Sequence, residues 1–577
     1  MRQWKVVLLG VLATYLTVKE LIALMKRRGF RGKAANYLSK AHSQAPELAP
    51  VDKSKERLIL ASSALQLAAL IRSGSLSSLE VVSVFIQRAC KLGRRLGLNA
   101  EEAFATALIQ AVACDEALKN NPKACGRLHG VPICVKDVFA EYGKATTCGV
   151  ARLTERAEKE EAVVLQVLEK EGAILFLRGS VPQAVDWAET DNFLFGVGRN
   201  PWDFDRTCGG SAEAALVTSL CTPLAISADH KDSMQLACAF TGTFGFRPTP
   251  DRVSHLGLRH SHNSGISPYE WLYNTSVGPV ARNAEDLALI CQLWWGDAMF
   301  KEDIAIPDLP FNDPIYQQIA GGKTMKIGLI RSNGLIEPVK GCSDRLEKAA
   351  ETLLGLGYEV VDFPLPSVEE LFRQVAASVH SFMGQAVKES LQGEEPIAAY
   401  GSFANFIMLR KFGPILRYML KRSKDRRLFE HLKVPLATTS SQAITLYYLL
   451  RDWRIAFTKA WQAAGLELVL CPSWPLPAPR HGEITQTMLA LTYTSLWSLL
   501  GFPVGILPTG PLNKPDLNYP KAVRDSITKG AQRHCEGAQG LPLALSVVGL
   551  PYMDEKVLGF LQVLERAGIA RFVPALH

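Results

Sequence analysis

The sequence predicts an α/β fold, in which a large mixed, mostly parallel sheet is sandwiched by helices and preceded by an N-terminal membrane helix. Two observations favour the sheet. Apolar strand segments alternate with helical segments along the chain, and 577 residues of ordinary composition, 48% hydrophobic and 21% charged, supply enough apolar material for a large core. A third observation, the apolar run Val6–Met25, predicts the membrane helix.

The run Val6–Met25 contains one charged pair, Lys19-Glu20, and has about the length that spans a bilayer as a helix. Positive charge is denser after the run than before it, which by the positive-inside rule places the body on the cytoplasmic side. We therefore predict a single-pass membrane anchor over residues 1–28, in an endomembrane or at a lipid droplet. A cleaved signal peptide and a helix lying on the membrane surface remain as alternatives.

Residues 29–56 are polar, contain Pro46 and Pro50 and show little periodicity, so they predict a linker. The folded body is predicted to occupy residues 57–577. Ser77-Ser78-Leu79-Glu80 is a capping box, and it opens a helix near the start of this body.

Helical and strand patterns follow one another through the body. Strands that alternate with helices at this spacing predict parallel pairing, because a parallel connection needs a crossover that a helix supplies. The predicted elements are a helix at Glu101–Leu118, a strand at Val131–Val135, a helix at Lys159–Glu171, a strand at Ala173–Leu177, and the unit Lys326–Ile330, Ser343–Leu354 and Tyr358–Phe363.

The segment Asn405–Arg427 mixes large apolar residues with many Arg and Lys and is interrupted by Gly413-Pro414. One interpretation is a pair of short amphipathic helices that lie in a membrane interface. The other is a pair of core-packing helices with a solvated basic edge.

Composition argues against several classes of partner and cofactor. The net charge of +8 is modest for this length, so we expect no nucleic-acid partner. Twelve cysteines are scattered singly, which favours reduced and mostly buried thiols. The one metal-like spacing, His260-Ser261-His262, lies in a Ser- and Gly-rich loop where histidines are more often solvated, so we expect neither a metal nor a cofactor.

Lys136 is the first candidate catalytic residue. It follows the apolar strand Val131–Val135, which would carry its ammonium into the interior, and burial lowers a lysine pKa toward the range of a general base. A carboxylate partner would hold Lys136 charged, and Asp137 is adjacent. Because neighbours in a strand point to opposite faces, Asp137 need not meet Lys136.

Two serines complete the candidate site. Ser211 follows Gly209-Gly210, where the missing side chains permit close backbone approach. Ser233 precedes a predicted helix, Met234–Phe240, whose N-terminal N–H groups would converge on an oxyanion. Each serine alone reads as a helix cap or turn residue. The order Lys136, Ser211, Ser233 predicts a Ser-Ser-Lys acyl-transfer site.

The chain resembles the amidase-signature family, whose pattern is G-V-P-x-x-x-K-[DE], G-G-S-S-G-G, D-x-G-G-S and G-x-x-G-x-[KR]-P-[TS]. The resemblance covers about residues 58 to 575. Within the family it is most similar to the fatty-acid amide hydrolases, particularly those of type 2. The corresponding segments are GVPICVKD at 130–137, CGGS at 208–211, DHKDS at 229–233, GTFGFRPT at 242–249, LFGVGRNPWD at 194–203, GPVARNAEDLAL at 278–289, LCPSWPLPAP at 470–479 and GLPLALSVVG at 540–549.

The resemblance implies a membrane-associated serine hydrolase that cleaves fatty-acid amides into a free acid and an amine. Neutral Lys136 would draw a proton through Ser211 from Ser233, which attacks the carbonyl. The N–H groups of the turn at His230, Lys231, Asp232 and Ser233 would stabilise the oxyanion. The implied partners are a lipid amide and a membrane, and a homodimer is left open. Candidates for the acyl channel are Phe403, Phe406 and Phe412.

The sequence departs from the family pattern at the site. The first serine loop, GGSAEAALV, is about two residues shorter than the family's, and Lys231 and Asp232 stand where the family has Gly-Gly. Gln235 replaces a usual Arg. A non-glycine residue held at positive φ costs on the order of 1 kcal/mol or more.

Three functions are therefore compared. The first is an active amidase acting on lipid amides. The second is a catalytically impaired relative that keeps the fold and binds acyl lipids or partners. The third is a cytosolic amidase acting on a small amide.

Overall fold

The computed structural model describes residues 29–42, 46, 48, 50–261, 274–366, 370, 373, 377, 387, 389–400, 427, 439–520 and 525–575. The predicted anchor, residues 1–28, lies outside this set, as do the three candidate channel phenylalanines and the segment Asn405–Arg427 apart from Arg427 itself. Among the helices that are described, none combines the length and apolarity needed to cross a bilayer.

An 11-stranded sheet organises the described body, with the strand order β1-β3-β2-β8-β10-β9-β14-β15-β13-β11-β12 and two small two-stranded sheets, β4-β5 and β6-β7. The strands are β1 Asn99–Glu102, β2 Pro132–Lys136, β3 Ile174–Gly179, β4 Asp191–Asn192, β5 Gly196–Val197, β6 Arg199–Asn200, β7 Asp203–Thr207, β8 Ala225–Asp229, β9 Phe244–Arg247, β10 Ser276–Ala281, β11 Lys326–Leu329, β12 Glu359–Asp362, β13 Leu468–Pro472, β14 Val504–Pro511 and β15 Pro542–Gly549.

Helices cover the sheet. They are α1 (residues 29–41), α2 Lys53–Ala61, α3 Ala64–Arg72, α4 Ser78–Arg88, α5 Phe104–Asn120, α6 Val163–Lys170, α7 Glu213–Thr218, α8 Ser233–Thr241, α9 Ala284–Trp294, α10 Asp297–Phe300, α11 Asp313–Ala320, α12 Lys340–Gly355, α13 Ser440–Ala463, α14 Thr492–Leu500, α15 Ser526–Cys535 and α16 Asp554–Arg566. Short 3-10 or π segments lie at Ala89–Gly93, Pro122–Ala124, Ala151–Leu153, Gln183–Val185, Ile484–Leu491 and Lys514–Leu517.

Helices α8 and α16 lie on opposite faces of the central strands. Gly245 of β9 is paired with Ile506 of β14, and a Cβ at Gly245 would meet Cys238 of α8. The preceding residue of β14, Gly505, faces Leu561 of α16 instead. Because successive strand residues point to opposite faces, the two helices sandwich the sheet as predicted.

The prediction of a mostly parallel sheet was wrong. Of the ten neighbouring strand pairs in the large sheet, four are parallel and six are antiparallel. The helix α8 connects β8 to β9 as a parallel crossover would, but β10 lies between these two strands and is antiparallel to both. Periodicity along the chain predicts the crossover helix. It does not predict that a later strand, β10, inserts between β8 and β9.

Local signals in the sequence were largely confirmed. Ser77 caps α4 with the predicted capping box to Glu80. The predicted helix from Glu101 starts three residues later, at Phe104, because Asn99–Glu102 pairs with β3 as a short strand. Nine of the twelve cysteines are buried, and none forms a disulfide.

Part of the predicted linker, residues 29–56, is helical. Residues 29–41 form α1, and α2 begins at Lys53. Ala34 and Ala41 of α1 are buried against Leu194 and Phe195 of the body. Burial of these small side chains is a tertiary effect, so a polar composition alone did not reveal the helix.

Candidate active site

Lys136 and Ser233 lie together near the carboxyl ends of two adjacent parallel strands, β2 and β8, of the large sheet. Lys136 ends β2, and β2 runs parallel to β8, so the carboxyl ends of both strands lie at the same edge. The helix α8 begins at Ser233, four residues after β8 ends. Lys136 Nζ lies 2.8 Å from the carbonyl oxygen of Ala228 and 3.0 Å from Ser233 Oγ. The structure therefore brings together the predicted lysine and the second predicted serine.

Burial favours the neutral form of Lys136. Its side chain is 0% exposed, and desolvation lowers its pKa against the opposing attraction of Glu213 and Asp229. Glu213 is also fully buried, and desolvation raises its pKa against the attraction of Lys136. Desolvation therefore pushes Lys136 toward a neutral amine beside the Ser233 hydroxyl, while the charge of Glu213 opposes that change.

Glu213 was missed by sequence reasoning. It begins α7, two residues after Ser211, and its Oε2 accepts a hydrogen bond of 2.9 Å from Ser227 Oγ. The available signal was a single acidic residue within the otherwise apolar run AEAALV. Burial of a carboxylate is costly unless a partner compensates its charge, so an acidic residue in an apolar run indicates such a partner.

Asp137 does not pair with Lys136, as the alternation of strand side chains predicted. Its carboxylate accepts hydrogen bonds from Arg178 Nη1 at 3.0 Å and from the backbone N–H and hydroxyl of Thr147. Burial still raises its pKa to about 6. Asp137 therefore binds Arg178 and Thr147 at the end of β2 and does not pair with Lys136.

The loop before Ser211 packs directly on α8. A Cβ at Gly209 would lie 2.6 Å from Ala237 Cα, so this position requires glycine, and one at Gly210 would lie 3.0 Å from Ser233 Cβ, a tight contact. Ser211 is 1% exposed. Its hydroxyl favours the ionised form of Glu213, yet it makes no well-aligned hydrogen bond within the described part of the chain. Lys136 contacts Ser233 directly, and the bridge through Ser211 stays a prediction.

The N–H groups of the turn before Ser233 donate hydrogen bonds within the turn itself. Lys231 has φ of +63°, and the N–H groups of Asp232 and Ser233 both donate to the carbonyl oxygen of His230, at 2.8 and 3.1 Å. Two of the predicted oxyanion donors therefore hydrogen-bond within the turn. The physical reason is the positive φ at Lys231, which closes a three-residue turn onto the His230 carbonyl.

The next two N–H groups of α8 are also satisfied. Asp229 Oδ1 accepts from the N–H of Met234 at 2.8 Å and from that of Gln235 at 3.4 Å. The other oxygen, Oδ2, accepts from Gln235 Nε2 at 2.8 Å and lies 2.9 Å from Arg247 Nε. Arg247 thus supplies a buried cation at the site, and its position in GFRPT was the available sequence signal.

The side chains of the turn reach different partners. Lys231 forms an ion pair with Asp186. Asp232 Oδ2 accepts hydrogen bonds from Thr494 Oγ1 at 2.6 Å and Ser495 Oγ at 2.7 Å, and burial raises the Asp232 pKa to about 6.

The imidazole of His230 is 8% exposed, and burial lowers its pKa well below the usual range, so the ring is neutral. The ring of His260 makes a T-shaped edge contact with it, at a centroid distance of 4.8 Å. His260 was predicted to lie in a solvated loop, whereas the structure places its ring against the candidate site.

A cleft opens beside Ser233. Its enclosed volume is about 50 Å³, far below the ~300–1,000 Å³ of typical small-molecule sites. The described residues therefore enclose the reacting group and not a whole acyl chain. The lining consists of Val185, Asp186, Trp187, Ala188, His230, Lys231, Asp232, Ser233, Ile484, Met488, Leu491 and Ser495.

The described residues form no candidate metal site. Within them, no group of three or more His, Cys, Asp or Glu side chains is placed to hold a metal ion. The charged, imidazole and hydroxyl side chains that line the cleft are those of Asp186, His230, Lys231, Asp232, Ser233 and Ser495.

A serine within hydrogen-bond reach of a buried lysine is the arrangement of a nucleophile and its base. The family model named Amidase matches residues 80–558, and the chain belongs to this amidase family of hydrolases. The resemblance stated from the motifs is thereby confirmed.

Two relatives with similar sequences are named fatty-acid amide hydrolases. The chain is 28% identical to fatty-acid amide hydrolase 1 of Sus scrofa over 560 residues, which is 94% of this chain and 93% of that protein. It is 28% identical to fatty acid amide hydrolase 1 of Caenorhabditis elegans over 474 residues, covering 79% of this chain and 80% of that one. The particular likeness to type 2 enzymes stays a prediction.

Solved structures share the fold. A fatty acid amide hydrolase superposes with a TM-score of 0.77 at 23% identity, over 96% of this chain and 95% of that one. A bacterial aryl acylamidase of the amidase-signature family superposes with a TM-score of 0.63 at 22% identity, over 88% of this chain and 96% of that one.

Proposed function

We propose that this protein hydrolyses the amide bond of acyl lipids, with Ser233 as nucleophile and Lys136 as general base. The observation that carries the proposal is the 3.0 Å contact between Lys136 Nζ and Ser233 Oγ, made by a fully buried lysine whose pKa is lowered. A neutral amine at hydrogen-bond distance is what a serine needs to lose its proton as it attacks a carbonyl.

The reaction would proceed through an acyl-enzyme. Lys136 takes the Ser233 proton while Oγ bonds to the carbonyl carbon, and collapse of the tetrahedral intermediate breaks the C–N bond. The proton returns to the leaving amine, with the nearby Ser211 hydroxyl as the carrier. Water then attacks the ester with Lys136 again as base, which releases the acid and restores Ser233.

Oxyanion stabilisation would require a change in the turn. The N–H groups of Asp232 and Ser233 donate to the His230 carbonyl in the described conformation. Bound substrate would have to compete with that carbonyl for the two donors. Since one well-placed donor contributes ~10²–10³-fold in rate, this competition sets how fast the enzyme turns over.

Three features support a lipid substrate. Two relatives are named fatty-acid amide hydrolases, and the cleft beside Ser233 carries the apolar side chains of Trp187, Ile484, Met488 and Leu491. The apolar run Val6–Met25 would attach the protein to a membrane, from which an acyl chain could enter without crossing water.

A second candidate is an impaired relative that binds acyl lipids without efficient turnover. Lys231 at φ of +63° and the satisfied N–H groups of the turn favour this alternative. The third function, a cytosolic amidase for small amides, has no observation that favours it specifically.

A serine-reactive fluorophosphonate probe tests the proposal. We expect labelling of the full-length protein that disappears in Ser233→Ala, together with release of fatty acid from an acyl amide. Ser219→Ala is a matched control, because Ser219 is fully buried on the far end of α7 and bonds the backbone of its own helix. A folded protein that takes no label would contradict the hydrolase and favour the impaired relative.

A further inference from the structure

Asp232 gives the cleft a negative charge that no ion pair among the described residues neutralises. Among the described residues that line the cleft, the ionisable groups other than His230 are Asp186, Lys231 and Asp232. The Lys231 ammonium is paired with Asp186. The partners of Asp232 are two neutral hydroxyls, those of Thr494 and Ser495, and both donate to Oδ2. The net charge on these three groups is therefore one negative unit when Asp232 is ionised.

The second oxygen of Asp232 is available to a ligand. Within the described part of the chain, Oδ1 accepts no hydrogen bond, although the residue is only 6% exposed and lines the cleft. This oxygen is therefore an open acceptor in a residue at the wall of the cleft, and a donor on the substrate would satisfy it.

His230 provides an independent observation in the same cleft. Its side chain is more than nine-tenths buried and lines the cleft, and its Nε2 has no hydrogen-bond partner among the described residues. Its Nδ1 lies 3.5 Å from Thr275 Oγ1, and its pKa is lowered, so the ring is neutral. The tautomer that directs Nδ1–H at Thr275 leaves Nε2 with a lone pair, and a ligand that donates to Nε2 selects this tautomer. In that tautomer, Asp232 Oδ1 and His230 Nε2 both accept hydrogen bonds.

We propose that Asp232 and His230 form a subsite for a cationic amine in the leaving group of the substrate. The substrate class is an N-acyl diamine, in which one nitrogen forms the scissile amide and the other is a protonated amine. This inference rests on the proposed hydrolase function and names its substrate class. Asp232 is adjacent to Ser233 in the chain, and consecutive Cα atoms are about 3.8 Å apart, so a short linker joins the reacting carbonyl to the carboxylate.

Three probes with one acyl chain and closely matched headgroups test the subsite. They are N-decanoyl ethylenediamine, which is cationic, N-decanoyl ethanolamine, which is neutral, and N-decanoyl glycine, which is anionic. Assays near neutral pH keep Asp232 ionised, because its pKa is about 6. We expect kcat/KM to fall in that order, with the cationic probe favoured about ten- to hundred-fold over the neutral one, the usual worth of a hydrogen bond to a charged group.

Asp232→Asn should abolish this preference, since the amide keeps the hydroxyl contacts and loses the charge. Asp362→Asn is the matched control: it makes the same change at an exposed position on β12, at the opposite end of the sheet from β2, and should leave the preference intact. Equal kcat/KM for the three probes in the wild type, or an unchanged preference in Asp232→Asn, would overturn the subsite.

Binding to Ser233→Ala separates this inference from the proposed function. Calorimetric titration of this variant with the three probes measures the headgroup preference without turnover. A cationic preference that Asp232→Asn removes in the Ser233→Ala background supports the subsite even if the wild type hydrolyses nothing. Equal affinities for the three headgroups refute the subsite even if all three amides are cleaved.

Discussion

At the residue scale, the protonation of Lys136 depends on a carboxylate, Glu213, to which sequence reasoning assigned no role. Glu213 is fully buried, and its charge raises the Lys136 pKa while desolvation lowers it. The base is competent only when Lys136 is neutral, so activity should rise with pH as this lysine loses its proton. Glu213 therefore sets where the rise occurs.

Glu213→Gln should move the ascending limb of kcat/KM to lower pH. Removing the negative charge lowers the Lys136 pKa further, so more of the enzyme carries a neutral amine at acidic pH, whereas the rate at alkaline pH should change little. The measurement is a pH profile of amide hydrolysis from the acidic to the alkaline plateau.

The control for this shift is Glu359→Gln, which removes the same charge at an exposed position on β12. Its profile should coincide with that of the wild type. A Glu213→Gln profile that does not move, or that moves to higher pH, would show that Glu213 does not act on the base.

At the element scale, the connection between β8 and α8 decides whether the helix N-terminus can hold an oxyanion. Lys231 occupies the left-handed region, and the N–H groups that follow it close the turn internally. The ion pair of Lys231 with Asp186 and the hydroxyls on Asp232 hold this arrangement in place.

Restoring glycine at both positions should raise activity. In the double variant Lys231→Gly, Asp232→Gly, the turn loses its two side-chain tethers and the strain at position 231, so the N–H groups of residues 232 and 233 can turn toward substrate. We expect kcat for a neutral acyl amide to increase by ~10²-fold, the contribution of one oxyanion donor. Steady-state kinetics and the rate of fluorophosphonate labelling measure it.

The single variant Asp232→Asn serves as the comparison, because it removes the charge and keeps the turn. If Asp232→Asn raises kcat as much as the double glycine variant, charge and not backbone geometry limits the reaction. A double variant no faster than the wild type would mean that the turn does not limit turnover.

At the scale of the whole molecule, the site depends on a strand that enters the sheet from far along the chain. β10 pairs with β8 from Ser276 to Val280, and so it supports the strand that ends at Asp229. Gly278 makes this insertion feasible, since a Cβ there would lie 1.9 Å from the carbonyl oxygen of Phe246. No side chain fits at that distance from backbone.

Gly278→Ala should therefore destabilise the protein and weaken the site with it. Overpacking in a core typically costs ~1–3 kcal/mol, and a clash with backbone in a central strand falls at the upper end. Urea denaturation measures the loss, and labelling of Ser233 should fall in the protein that remains folded. Gly296→Ala, where a Cβ meets nothing within 4 Å, should change neither quantity; equal stability of the two variants would contradict the role of Gly278.

The sequence by itself determined the family, the strand that carries Lys136 and the helix that starts at Ser233. These features follow from short segments, namely an apolar strand ending in a lysine and a serine ahead of a helical pattern, whose physical meaning is local. The separation of Asp137 from Lys136 also followed from local alternation along one strand.

The tertiary structure alone decided the rest. The antiparallel insertion of β10, the burial of Glu213 beside Lys136 and the clamp of Arg247 on Asp229 join residues that are distant in the chain, and no periodicity encodes such contacts. The direct contact of Lys136 with Ser233 and the internal hydrogen bonds of the 230–233 turn depend on side-chain and backbone geometry that motif order leaves open. The sequence thus predicted the reacting groups, Lys136 and Ser233. Packing across the sheet determined their contacts, the shift in the Lys136 pKa and which N–H groups of the turn are free to bind a substrate, because these depend on residues distant in the chain.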